Sequence, residues 1–296
     1  MNGFINIYKP ANITSYDVIR RIKPVLKGIK IGHLGTLDPM AEGVLPIALG
    51  YATRLLEYIN DNTKEYIAEM ILGGISDTQD RTGNIVWISD RTITPNEIRE
   101  VLTQFTGEIM QIPPMYSAVH HQGQRLYELA RKGISVDVEP RMIKIIELEL
   151  LDFCILDDRP RVRLRVVCSS GTYIRTLCHD IGQVLECGAF MSGLVRSRSG
   201  PFTLKETAQL EDLTASREDI KNKLLSPEFP VPEMPRLSAD DKNAAAIYNG
   251  MAVPIPGVVE NAKYLMFYKE DLIAVGRGVA GKYEPLFQPE KVLNKL

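Results

Sequence analysis

The spacing of apolar positions lays out the chain before any chemistry is considered. FINIYKP reads as a short strand closed by Pro10. Thr14 or Ser15 stands ready to cap a helix over residues 16–27, with Pro24 bending its end. A glycine- and proline-rich loop, GHLGTLDPM, comes next. GVLPIALG then reads as a buried strand and ATRLLEYIN as a short helix. KEYIAEMILGG is a strand ended by the turn residues SDTQDRTGN. TPNEIREVLTQFTG has a capped start, apolar positions at helical spacing (Ile98, Val101, Leu102, Phe105) and a closing glycine. Residues 111–133 begin as an irregular loop and end as a short basic helix.

Two more strands follow, MIKIIELELLDF and RPRVRLRVVCSSG. The second alternates cleanly, with Arg161, Arg163 and Arg165 on one face and Val162, Leu164 and Val166 on the other. TYIRTLCHDIGQVLE reads as a helix and FMSGLVRSRSGPFTL as a strand and turn. Strands and helices mix without strict βαβ alternation, and several strands look like hairpin partners. The expected class is α+β, with a mixed, largely antiparallel central sheet flanked by helices. LSPEFPVPEMP, residues 225–235, holds four prolines and suits a stiff, extended linker. It divides the chain into a catalytic-sized domain, 1–230, and a small β-rich domain, 236–296.

Composition narrows the class only a little. The chain has 296 residues, 45% hydrophobic and 24% charged, enough for a substantial core. No apolar run is long enough for a membrane helix. The N-terminus lacks the pattern of a secretory signal. Four cysteines without a C-x-x-C pair fit reduced thiols, and the four histidines do not fall at zinc-finger spacings around them. A cytoplasmic protein without a structural metal is expected. A net charge of −2 argues against a generally basic nucleic-acid binder. A local basic face remains open, because Arg125, Arg131, Lys132, Arg141, Lys144, Arg196 and Arg198 crowd the same third of the chain as the arginine stripe.

The candidate chemistry starts at Asp38, in T-L-D-P. An aspartate before proline is a common turn initiator. Here Gly32, Gly35 and Gly43 also let backbone approach a partner closely, and flanking apolar segments would keep the carboxylate partly dry. A lone aspartate in such a place can serve as nucleophile or general base. Tyr66 lies on a strand. Asp77 and Asp80 are most simply turn residues. Arg175 follows G-T-Y at a helix start, where it can pair with a buried carboxylate.

These segments resemble, in order, the blocks of the pseudouridine synthases that act on uridine 55 in the T loop of tRNA. GHLGTLDPMAEGVLPIALGYATRL resembles their catalytic segment, and IYKPANITSYDVIRRIK their N-terminal block, with Asn12 where glycine is usual. KEYIAEMILGGISDTQDRTGNI, QIPPMYSAVHHQGQRLYELARKG, CSSGTYIRTLCHDIG and LVRSRSGPFTL resemble four further blocks, with His120 and Ser170 in place of lysines. The likeness covers residues 3–215; the tail resembles, more weakly, the small PUA-like RNA-binding domain of such enzymes.

The resemblance implies that Asp38 is the essential carboxylate and that Arg175 pairs with it, keeping it ionised. It implies that Tyr66 stacks on the uracil and removes the C5 proton. His33 would hold the RNA loop open, Tyr173 and Leu194 would line the uracil pocket, and Asp80 would touch the displaced nucleotide. It further implies no metal or other cofactor, the T stem-loop of tRNA as partner, and a monomer with no obligate protein partner. Two other readings compete: an RNA-binding folding factor without catalysis, and a nucleoside hydrolase that releases free uracil.

Overall fold

The fold was obtained as a computed structural model that describes residues 1–117, 119–121 and 123–293. Ala118 and Gln122, inside the block expected to run from loop to basic helix, lie outside the described residues. In chain order come β1 (Gly3–Lys9), α1 (Ser15–Ile22), β2 (Ile31–His33), β3 (Glu42–Leu49), β4 (Lys64–Leu72) and the hairpin β5 (Gly74–Ser76) and β6 (Ile85–Trp87). Then come α2 (Pro95–Thr103), β7 (Gly107–Gln111), a ribbon of β8 (His120–His121) and β9 (Gln124–Arg125), and α3 (Leu126–Arg131). The long pair β10 (Arg141–Leu156) and β11 (Arg159–Cys168) leads to α4 (Ile174–Val184) and β12 (Ala189–Ser199). Two short strands, β13 (Phe202–Thr203) and β14 (Ala208–Gln209), and α5 (Arg217–Asn222) complete this part.

The main sheet has the order β14-β1-β3-β12-β4-β11-β10-β7, with β2 and β13 attached at β3 and β12. Pairs β1/β14 and β3/β12 are parallel; the other pairs in that order are antiparallel. This is the mixed α+β sheet the sequence led one to expect. Its consequence for function lies in β12. That strand sits between β3, which leads out of the Asp38 loop, and β4, which carries Tyr66, so residues far apart in sequence meet across one strand.

Local physics explains where the elements begin and stop. Thr14 caps α1: its side chain accepts from the Asp17 amide, and the Asp17 side chain accepts from the Thr14 amide. Pro24 cannot donate within the helix, and the chain tightens into a 3-10 turn over Lys23–Leu26 instead of continuing as α-helix to residue 27. ATRLLEYIN is likewise not an α-helix but two 3-10 turns, Gly50–Arg54 and Leu56–Tyr58. Its buried residues are Ala52, Leu55, Tyr58 and Ile59. The first three recur at the 3-10 period, and Ile59 follows just past the second turn.

The arginine stripe on β11 alternates as expected, with Val162, Leu164 and Val166 buried. It is not a bare basic face, however. Arg165 pairs with Glu65 at 2.9 Å, Glu147 at 2.6 Å and Glu149 at 3.2 Å, and Arg161 pairs with Asp157 at 3.1 Å. Carboxylates on the neighbouring strands offset Arg165, and one in the turn before β11 offsets Arg161. Arg196, counted by sequence with the same cluster, is 1% exposed and points inward.

The tail forms its own four-stranded sheet: β15 (Arg236–Ala239), β16 (Lys263–Tyr268), β17 (Asp271–Val279) and β18 (Leu286–Val292), with α6 (Asp241–Tyr248) against it. The proline-rich segment before it packs well, contrary to expectation, because apolar side chains stand between its prolines. The Phe229 ring lies 5.2 Å from that of Phe202, and Val231 is buried. One apolar cluster joins Phe4, Val44, Leu55 and Phe202 to Leu265, Phe267, Leu272 and Val275. Polar ties add to it: Arg54 donates to the Val292 carbonyl at 2.6 Å, and Lys291 pairs with Glu57 at 3.1 Å.

Deleting residues 236–296 strips that cover from several large side chains, each contributing about 1.5–3 kcal/mol when fully buried. Thermal unfolding followed by circular dichroism should show the midpoint lowered by about 10 °C or more. A truncated protein that melts with the full-length one would show that the shared cluster contributes little.

Candidate active site

Asp38 owes its position to the N-terminal block. Lys9, fully buried, donates from Nζ to the carbonyls of Pro10 at 2.9 Å, Pro39 at 3.1 Å and Ala41 at 2.5 Å. Ser15 closes the other side. Its Oγ donates to the Leu37 carbonyl at 3.1 Å and accepts from the Leu37 amide at 2.9 Å. The Asn12 amide adds a bond to the Pro39 carbonyl at 2.8 Å. Asn12 has φ of 67°, a left-handed conformation that explains why glycine would be usual there and why asparagine is tolerated. The K-P-x-N-x-T-S pattern is thus a clamp that holds the residues on both sides of Asp38. Burial pulls the Lys9 ammonium down to about 8 while Asp38 and Glu42 oppose it.

Arg175 enters from the first turn of α4 and is 5% exposed. Its Nε lies 2.9 Å from Asp38 Oδ2, and its Nη1 lies 3.6 Å from Asp80 Oδ2. Nη1 also donates to the Thr78 carbonyl at 3.3 Å and Nη2 to the Tyr116 carbonyl at 2.9 Å. A guanidinium with these partners has little freedom to turn. Asp80, for which the resemblance implied contact with a displaced nucleotide, has its carboxylate engaged within the protein. It is 4% exposed and turned inward. Its Oδ1 accepts from Thr78 Oγ1 at 2.8 Å, the Thr82 amide at 2.9 Å and Thr82 Oγ1 at 2.5 Å, while its Oδ2 faces Arg175.

The electrostatics of Asp38 differ from the simple ion-pair expectation. Its side chain keeps 38% of its surface and so reaches solvent, yet burial by the surrounding protein dominates its electrostatics. Burial pushes its pKa up; Arg175 pulls it down, Asp80 pushes it up and Lys9 pulls it down. The net shift is upward, because desolvation outweighs the partner charge.

Tyr66 is 8% exposed and lies on the buried face of β4, two residues from Ala68. Burial pushes its phenol up, the Arg196 charge pulls it back, and Asp38 adds to the push. Leu194, 7% exposed on β12, stands opposite Ala68 in the same apolar cluster as Tyr66 and Leu37. Tyr173, half-buried, caps α4. It is gripped by Gln111, whose Nε2 donates to the Tyr173 carbonyl at 3.0 Å and whose Oε1 accepts from the Tyr173 amide at 2.8 Å. His33, half-buried at the end of β2, has its pKa pulled down by burial and by the Arg196 charge, which favours the neutral ring. The structure thus brings Asp38, Arg175 and Asp80 into direct contact, with Tyr66 and Leu194 beside them and Tyr173 at the same helix start. Sequence reasoning missed Lys9, Ser15, Gln111 and Arg196 as site-building residues. All four lay inside quoted motifs, but only long-range geometry shows what they hold. Among the described residues, no group of three or more His, Cys, Asp or Glu side chains has a metal-binding arrangement.

Comparison with known proteins fits this geometry. The fold is similar to the structure of a Cbf5-Nop10-Gar1 complex, with a TM-score of 0.70 at 30% identity over 99% of this chain and 85% of that one. It is also similar to an H/ACA RNP bound to a substrate RNA containing 2'-deoxyuridine, with a TM-score of 0.69 at 29% identity, over 99% of this chain and 85% of that one. The family described as TruB family pseudouridylate synthase (N terminal domain) matches residues 23–174, and tRNA pseudouridylate synthase B C-terminal domain matches residues 175–228. Fold and site together define a pseudouridine synthase. Within that class the chain belongs to the TruB family. It is 47% identical to the tRNA pseudouridine synthase B of Syntrophomonas wolfei subsp. wolfei over 99% of its own length and 98% of the relative's. It is 43% identical to that of Clostridium tetani over 92% and 93%.

The charge cluster gives two shifts of opposite sign. If turnover needs Asp38 ionised, the acid limb of the kcat/KM profile should lie above the usual carboxylate range near about 4. Asp80→Asn removes a negative neighbour and should move that limb to lower pH. Arg175→Lys loosens the positive neighbour and should move it to higher pH. Profiles of both variants between pH 4.5 and 8 check the signs; shifts in the same direction would contradict this account of the cluster.

Proposed function

We propose that the protein isomerises uridine 55 in the T loop of tRNA to pseudouridine, acting as a monomer in the cytoplasm with Asp38 as the essential carboxylate. The observation that carries this reading is the Asp38–Arg175 pair at 2.9 Å, with Tyr66 and Leu194 in the apolar cluster beside it. The names of the curated relatives supply the substrate class. A folding factor without catalysis would have no use for a desolvated carboxylate aimed out of such a cluster.

The chemistry follows from the groups present. A base in a stacked loop is out of reach, so the uridine must be flipped into the cleft, at a cost of a few kcal/mol. His33 holds the loop open, and its neutral ring suits stacking or hydrogen bonding to a base. Tyr173 and Leu194 bound the uracil so that it cannot escape once the C1′–N1 bond breaks. Asp38 acts at the sugar or the uracil; the residues fit attack on C1′, attack on the base, or removal of a sugar proton. After C1′ bonds to C5, Tyr66 takes the C5 proton. The C5–H electron pair forms the C5=C6 bond, the C6=N1 pair moves onto N1, and N1 takes a proton from solvent. The 236–296 domain adds RNA-binding surface, and residues 1–230 carry the catalysis.

Incubation with an unmodified tRNA transcript, followed by carbodiimide mapping, should show one new pseudouridine, at position 55. Modification at another position, or none, would overturn the assignment. Asp38→Asn should abolish turnover while tRNA binding stays within about tenfold, since most RNA affinity comes from phosphate and shape contacts. Retention of more than a few per cent of the wild-type rate would remove Asp38 from its role. Tyr66→Phe keeps the ring and loses the hydroxyl. The rate should fall by about 10²-fold with binding retained, whereas an unchanged rate would restrict Tyr66 to stacking.

A further inference from the structure

Arg196 is the largest fully buried side chain among the described residues, at 1% exposure. Burying a cation is costly unless a partner compensates it. Arg175, also buried, has two carboxylates. Arg196 forms no ion pair with Asp or Glu among the described residues. Its Nε donates to the Val44 carbonyl at 2.7 Å and its Nη2 to the Gly35 carbonyl at 3.1 Å. Those two carbonyls lie on either side of Asp38 in sequence. On the other flank, Arg196 stands directly opposite Tyr66 in the β12/β4 register. The backbone around it is fixed as well. Gly43 has φ of 102°, and a Cβ there would lie 2.4 Å from the Arg196 carbonyl oxygen, so β3 and β12 meet at a contact only glycine permits.

We infer that Arg196 is a positioning residue for the reaction: opposite Tyr66 in the β12/β4 register and bonded to backbone on both sides of Asp38, it ties the Tyr66 strand to the Asp38 loop and sets a buried positive charge beside that tyrosine. The inference rests on the reading of Tyr66 as the group that takes the C5 proton. A phenol buried in protein resists ionisation, and a base must be available in its unprotonated form. The groups facing Tyr66 are few. Arg196 approaches from β12, Asp38 from its loop and Cys168 from the end of β11. Burial pushes the Tyr66 phenol up, Arg196 pulls it back, and Cys168 and Asp38 add to the push. Lys64, two residues earlier on the same strand, is bonded to Ser199 Oγ at 2.8 Å. The Tyr66 phenol is in turn the acidic group that favours the Arg196 charge. The buried cation and the tyrosine are therefore partners, and the two backbone bonds keep that partnership in register with Asp38.

The test places 3,5-difluorotyrosine at position 66, where ring fluorines lower the phenol pKa and report its ionisation by fluorine NMR. In the full-length protein, Arg196→Gln should raise the apparent pKa of this phenol by about one unit or more. The same substitution should lower kcat by about tenfold or more with KM within about threefold. Arg196→Lys, which keeps the charge but not the planar fork, should hold the phenol within about half a unit of wild type and recover most of kcat. An unchanged phenol pKa in Arg196→Gln would overturn the inference. So would a folded Arg196→Lys protein with a wild-type phenol pKa and a kcat as low as the glutamine variant's. If Arg196→Gln fails to fold by circular dichroism, the lysine variant decides alone: wild-type phenol pKa with kcat retained supports the inference, and wild-type phenol pKa with kcat collapsed reduces Arg196 to a brace. Failure of the underlying reading is separate, because it shows as full activity in Tyr66→Phe whatever the NMR titration gives.

Discussion

The site depends on one buried ion pair, Arg175 with Asp38. A carboxylate ringed by protein is under pressure to take up a proton, and burial does push Asp38 that way. Arg175 opposes the push from 2.9 Å. A guanidinium so deeply buried needs its own compensation, which Asp80 and the carbonyls of Thr78 and Tyr116 provide. Asp80 is then fixed by Thr78 and Thr82. The result is a chain of satisfied polar groups running from Asp38 to the turn after β4. Partly satisfied, such a network would cost more than an apolar core; fully satisfied, it specifies one geometry.

The second requirement is that the Asp38 loop cannot drift. Glycine and proline give it its bends, but glycine also gives freedom. Lys9 and Ser15 remove that freedom through side-chain bonds to backbone on both sides of the aspartate. Arg196 does the same from the opposite side through Gly35 and Val44. Three elements remote in sequence therefore hold one loop. This is preorganisation: the ordering cost is met in folding and not at the moment of reaction.

Much of this was legible in the sequence and some was not. The alternation in KEYIAEMIL and RVRLRVV marked β4 and β11, and the Thr14 and Thr94 caps marked helix starts, because those signals are local. ATRLLEYIN misled because its apolar spacing of three fits a short α-helix and a 3-10 turn alike, and only burial separates them. The arginines of β11 read as a basic face because their glutamate partners lie on other strands, Glu65 on β4 and Glu147 and Glu149 on β10. Arg196 was misread for the same reason: its burial follows from the central place of β12, which no window of sequence reveals. Asp80 looked like a turn residue and is one, yet the turn delivers it to Arg175 across the sheet.

The central claim is that this cluster carries out an isomerisation in which uracil leaves C1′, stays bound and rebonds through C5. The most direct measurement is tritium release from a tRNA transcript labelled at C5 of its uridines, alongside chromatography for free uracil. The account predicts release of one tritium per tRNA, none from a transcript with cytidine at position 55, and no free uracil. Free uracil in step with tritium-retaining RNA loss, or equal release from the cytidine-55 transcript, would contradict it.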